Sequence, residues 1–217
     1  MTALLRYQAA TLFRSHRWIF PLIAYVLLIS VGGAGPGTQS LADGLDWSAA
    51  MLVPVAALLT RSMLTAEPGA ARACVAAAAG PARAHLATLV TAFAGGAVLA
   101  IAGASYELAT SRHTTGLLVP FATGLGTALV CVLVGSTAGT LFNPPLIRHP
   151  AAALLCTMAA VVLAWVSDVS PAHAALRGSG AAIQSSAWPT GVPLLSAVAL
   201  AAAAWTASCW QAGRRGD

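Results

Sequence analysis

All eleven basic residues of this 217-residue chain are arginines, and they are spaced between six long apolar stretches almost free of charge. If each stretch crosses a bilayer, Arg6, Arg14, Arg17, Arg61, Arg72, Arg83, Arg148, Arg214 and Arg215 fall on one side and only Arg112 and Arg177 on the other. Arginine bias in short loops sets membrane orientation, so this nine-to-two split places both termini in the cytoplasm. Asp43, Asp46, Glu107 and Asp168 fall on the opposite side. The tryptophans agree without having been used to draw the spans: Trp47, Trp165 and Trp188 map to the outer interface, Trp18, Trp205 and Trp210 to the inner one.

Composition supports the same reading. Only 8% of residues are charged and 58% are hydrophobic, where a soluble domain carries about 25% charged residues. Alternation of polar and apolar residues is rare, which favours helices over a membrane barrel. Spans of roughly 20 residues are expected at about 18–33, Trp47–Leu64, 85–105, 117–142, 150–167 and 191–211. With short loops they occupy nearly the whole chain, so residues 1–217 are read as one membrane domain. The net charge of +5 follows topology and forms no patch, so no nucleic-acid partner is expected. Cys74, Cys131, Cys156 and Cys209 show no disulfide or metal spacing, and the five histidines are dispersed.

Between the spans lie three segments of interest. Residues 3–17 put Leu5, Ala9, Leu12 and Phe13 on one helical face and Arg6, Arg14 and Arg17 on another, the pattern of an amphipathic helix lying on membrane lipid. The alternative is a signal peptide with an h-region at 18–31 and a small-residue site near Gly33–Gly37, which does not need so long or so periodic a basic segment. Residues 65–84 form a long polar connection: Thr65 can cap a short helix, Glu67 suits its positive end, Pro68 its first turn, and Gly80-Pro81 stops it. Residues 168–190 form an external segment, with Ser170-Pro171 starting a helix and Gly178-Ser179-Gly180 ending it.

Two absences limit the chemistry. A phosphate-binding loop needs a lysine at the terminal phosphates, and this chain has none. No Asp or Glu is expected deep in a span, where ion-driven transporters place them; all are expected at span ends or in loops. Gly135-x-x-x-Gly139 allows close helix approach, more readily within the chain than as a dimer seam. The intervening Ser136 has no histidine at matching depth, which argues against an intramembrane protease.

The order of segments resembles the permease subunit of an ABC exporter of the type-2, or type V, class. The string Leu64-Thr65-x-Glu67-Pro68-x-x-x-Arg72, followed by Gly80-x-x-Arg83-x-His85-Leu86, is similar to short actinobacterial members. The resemblance implies an all-α membrane fold: six transmembrane helices after an amphipathic interfacial helix, with a cytoplasmic coupling helix at 65–84 and a short external re-entrant segment at 168–190. It implies a multi-pass cell-membrane protein that is not itself an enzyme and carries no cofactor. ATP and magnesium would sit in a separate ABC-type ATPase subunit, touched by Thr65, Glu67, Pro68, Arg72 and Gly80. A second permease copy, identical or related, would complete the pore. Met51, Pro54, Leu58, Leu155 and Met158 would line an apolar pathway for an amphipathic or lipid-like small molecule or peptide. The alanine-rich tail Ala76 to Ala79 departs from the pattern by offering a partner little grip. The competing expectation is a non-transport membrane assembly or accessory protein.

Overall fold

The structure, a computed structural model, describes residues 1–33, 40–111, 117–143, 149–185 and 191–214. Arg112, Arg148, Trp188, Arg215, the Gly35-Pro36-Gly37 loop and Pro144-Pro145 lie outside the described residues. The described elements are all α-helices: α1 Thr2–Ser15, α2 Ile19–Gly33, α3 Leu41–Leu64, α4 Gly69–Ala79, α5 Pro81–Thr110, α6 Leu118–Leu141, α7 Pro150–Val166, α8 Pro171–Ser185 and α9 Gly191–Arg214.

Four helices, α3, α5, α6 and α9, are long and apolar enough to cross a membrane. The count reaches six only if two bent pairs each make one span: α1 with α2, bent by 71°, and α7 with the first part of α8, bent by 41°. The reason is length. At 1.5 Å per residue, α2 and α7 extend about 22 and 25 Å, short of the roughly 30 Å hydrocarbon core. By the same measure α5 reaches about 45 Å and projects beyond it.

Helix α3 is the axis of the bundle, and α2, α5, α6, α7 and α8 all pack on it. Its buried residues Ala49, Leu52, Val53, Val55, Ala56 and Ala57 join Tyr25, Ala100, Cys131 and Val161 in the main core. The closest approach is to α6. A Cβ on Gly135 would strike the Val53 carbonyl, and one on Gly139 would lie 2.7 Å from the Ala57 carbonyl oxygen. The Gly-x-x-x-Gly seam therefore packs within the chain, as its sequence suggested.

Helix α3 begins six residues before the expected Trp47. Ser40 and Asp43 form a reciprocal capping box: the Asp43 amide donates to Ser40 Oγ at 3.2 Å and the Ser40 amide to Asp43 Oδ2 at 3.2 Å. Asp43 and Asp46 are thus helical rather than in a loop, and α5 likewise carries Glu107 inside its last turn. The Asp46 carboxylate accepts from Ser179 Oγ at 2.5 Å, joining α3 to α8. Helix α8 does not stop at Gly178-Ser179-Gly180 but runs to Ser185. Ala172, Ala175 and Ser179 recur at helical spacing and are buried against the bundle, which outweighs the glycines' local preference.

Side-chain contacts sort the charges by end. At one end, α3 finishes, α5 starts, α6 finishes, α7 starts and α9 finishes; Arg17, Arg61, Arg72 and Arg83 gather there, and α1 docks there too. Asp43, Asp46, Glu107 and Asp168 belong to the other end, where Arg177 pairs with Asp168 at 3.3 Å.

Candidate functional site at the arginine-rich end

The junction from α3 to α5 is built by backbone economy. Thr65 ends α3 as its C-cap: its amide donates to the Arg61 carbonyl at 3.1 Å and its hydroxyl to the same oxygen at 2.9 Å. This corrects the expectation that Thr65 caps the following helix. The N-cap of α4 is Pro68, with no side-chain cap bond. Arg72, one turn into α4, reaches back instead. Its Nη2 donates to the carbonyls of Leu64 and Glu67, both at 3.1 Å, and so satisfies one acceptor left open by the end of α3 and one in the linker to α4.

Gly80 ends α4 at φ 87, a conformation costly for any residue with a Cβ, while its amide donates to Ala76 O at 2.8 Å. Pro81 then opens α5, where its missing N–H costs nothing. A single residue therefore separates α4 from α5, and no residue of α4 is buried.

Helix α1 braces this junction. Gln8, only 1% exposed, donates from Nε2 to Glu67 Oε1 at 3.0 Å. Arg17 Nη1 donates to the Thr65 carbonyl at 2.8 Å. Leu12 packs with Leu59, Met63 and Ala92. Phe13, expected beside Leu12 on the apolar face, is instead exposed with Tyr7 on the opposite side of α1, because Gln8 and Leu12 form the face that meets the bundle.

Between α4 and the bundle lies a cavity of about 490 Å³. Glu67, Arg72 and His85 supply its polar wall, and Ala73, Ala76 and Ala84 part of its apolar one. His85 Nε2 shares a 2.5 Å hydrogen bond with the fully buried Ser208 of α9. Glu67 and Arg72, of opposite charge, line the same space without forming an ion pair with each other or with any other described residue.

Of the residues singled out from sequence, Glu67 and Arg72 line this cavity, while Thr65 ends α3 and Pro68 and Gly80 bound α4. The five pathway candidates line no part of this cavity. Met51 is buried in the core, Leu155 is 70% exposed on the surface of α7, and Pro54, Leu58 and Met158 are half-buried.

Two further features were missed by sequence reasoning. Asn143, fully buried, accepts from Arg61 Nη1 at 2.9 Å and donates to Gly139 O at 2.7 Å, while Arg61 Nη2 donates to Pro150 O at 2.9 Å. Arg61 thus ties α3 to the end of α6 and the start of α7. The second concerns Pro54. A proline inside α3 leaves the Ala50 carbonyl without its helical donor. Trp165 Nε1 donates to that oxygen at 3.3 Å. Helix α7 is therefore held against α3 near both of its ends, by Arg61 at one and Trp165 at the other, and runs antiparallel to it. A proline within an apolar helix is a signal for the second; the partner of Asn143 has no local signal.

Compared with known proteins, no family model matches this chain, and no curated protein or solved structure does.

Proposed function

We propose that this chain is the membrane subunit of an ATP-driven exporter, with α4 as the helix that meets a separate ATPase. The observation that carries this reading is α4 itself: a helix of 11 residues, none buried, stopped by a positive-φ glycine and joined to the long helix α5 by that one residue. A helix so placed does little for the core, yet it is connected stiffly enough to move α3 and α5 when pushed. Its position at the arginine-rich end supports a cytoplasmic location through the charge rule. ATP and magnesium belong to the partner, since the chain lacks the lysine such a site requires.

In this reading each bent pair supplies one crossing, through α2 and through α7, giving six, with both termini cytoplasmic in the cell membrane. Helix α1 lies along the inner leaflet, and α8 is the external re-entrant segment. Two copies, or this chain and a related permease, enclose a path between them. The partly exposed seam of α3 and α7, with Pro54, Leu58, Leu155 and Met158, faces that path, and its apolar character suits an amphipathic or lipid-like cargo.

Substitution within α4 tests the reading. Ala73 is exposed, and proline in a helix interior costs roughly 3 kcal/mol and breaks the rod. Ala73→Pro is expected to insert and fold normally but to abolish stimulation of the co-purifying ATPase. Undiminished ATPase binding and stimulation in a correctly inserted Ala73→Pro protein would remove the coupling role and favour an accessory membrane protein.

A further inference from the structure

We propose that the cavity between α4 and the bundle is a binding site for a zwitterionic phospholipid, one whose headgroup carries both a phosphate and a protonated amine. The wall holds one carboxylate, Glu67, and one guanidinium, Arg72, kept apart rather than paired. A simple anion entering the cavity meets the Glu67 carboxylate, and a simple cation meets Arg72. A ligand bearing both charges satisfies both. Arg72 uses Nη2 on backbone carbonyls, and among the described residues its Nη1 has no partner, so it retains a donor for phosphate. Glu67 accepts from Gln8 through Oε1, leaving Oε2 for an ammonium.

Much of the rest of the wall is apolar: the small Ala73, Ala76, Ala77 and Ala84 lie beside Met63, Leu64 and Pro81. Alanines leave room where larger residues would close the gap, and they offer an acyl chain a smooth surface. Depth also fits. Ala212 lines the cavity; two residues before it, Trp210 is 59% exposed, with the Arg214 guanidinium 3.8 Å above its ring. Exposed Trp with Arg marks headgroup level in a helix that crosses a bilayer. The cavity therefore opens where lipid headgroups lie, and its volume of about 490 Å³ accepts a headgroup with the upper part of its chains. The inference does not depend on any ATPase, because every group involved belongs to this chain.

Native mass spectrometry of the delipidated full chain in detergent tests it. The chain is titrated with phosphatidylethanolamine or with phosphatidylglycerol of the same acyl composition. One phosphatidylethanolamine is expected to be retained under conditions that strip phosphatidylglycerol. Glu67→Gln keeps an acceptor for Gln8 but removes the charge, and should cut phosphatidylethanolamine retention roughly tenfold, the usual worth of one charge-assisted hydrogen bond. Ala76→Trp fills the cavity from a helix with no buried residues, so it spares the core and should abolish retention. Equal retention of the two lipids by the wild type, or unchanged phosphatidylethanolamine retention in Ala76→Trp, overturns the proposal. Complete displacement of the lipid by glycerophosphoethanolamine overturns it as well, since the ligand would then be a soluble zwitterion rather than a lipid.

Discussion

At the scale of single residues, the bundle is held by polar groups that repair openings in the helical backbone. Pro54 creates one such opening, and Trp165 closes it across the α3–α7 seam. A carbonyl left unsatisfied in an apolar surrounding costs about 1–3 kcal/mol. Trp165→Phe keeps most of the packing and removes the donor, so it should lower thermal stability in detergent by an amount in that range. A melting curve indistinguishable from wild type would show that the indole N–H contributes nothing. The glycines of α6 were legible in the sequence because their spacing has a direct steric meaning. The role of Asn143 was not: beside two prolines it reads as a helix breaker, and nothing local announces that it also accepts from Arg61, 82 positions away in sequence.

Among the helices, existence was readable and boundaries were not. Apolar runs revealed every long helix, but charge was weighted as loop. Asp43 and Asp46 were placed outside α3, although one completes a capping box and the other accepts from Ser179. The Gly178-Ser179-Gly180 run reads locally as a stop, although burial of Ala172, Ala175 and Ser179 carries the helix through it. The opposite held for α4, whose Gly80-Pro81 terminus is a local steric signal and was found where expected. The docking of α8 through one hydroxyl is testable. Ser179→Ala leaves the Asp46 carboxylate without that donor and should release α8 locally, raising its amide exchange severalfold while α3 and α6 stay protected. Unaltered exchange across α8 would mean that its apolar face suffices.

For the whole molecule, the contacts divide the described charged residues between two ends as the arginine pattern divided them, with Glu67 the acid at the arginine-rich end and Arg177 the arginine at the acidic end. What sequence could not supply is how short helices combine into spans. That depends on the bends between α1 and α2 and between α7 and α8, which are set by packing. Topology is open to cysteine labelling in a background lacking the four native cysteines. With both termini inside, reagents applied from outside should modify cysteines placed at positions 40 and 112 and spare those at positions 3 and 216. The reverse labelling pattern would invert the molecule and move α4 out of reach of any cytoplasmic partner. The central claim, that this chain turns ATP hydrolysis elsewhere into movement across a membrane, is tested most directly by purifying it from its native membrane and assaying ATP turnover. The result expected is that a P-loop ATPase co-purifies, that the complex hydrolyses ATP, and that the isolated chain does not. Turnover by the homogeneous chain alone, or a stable native assembly with no ATPase in it, would contradict the claim.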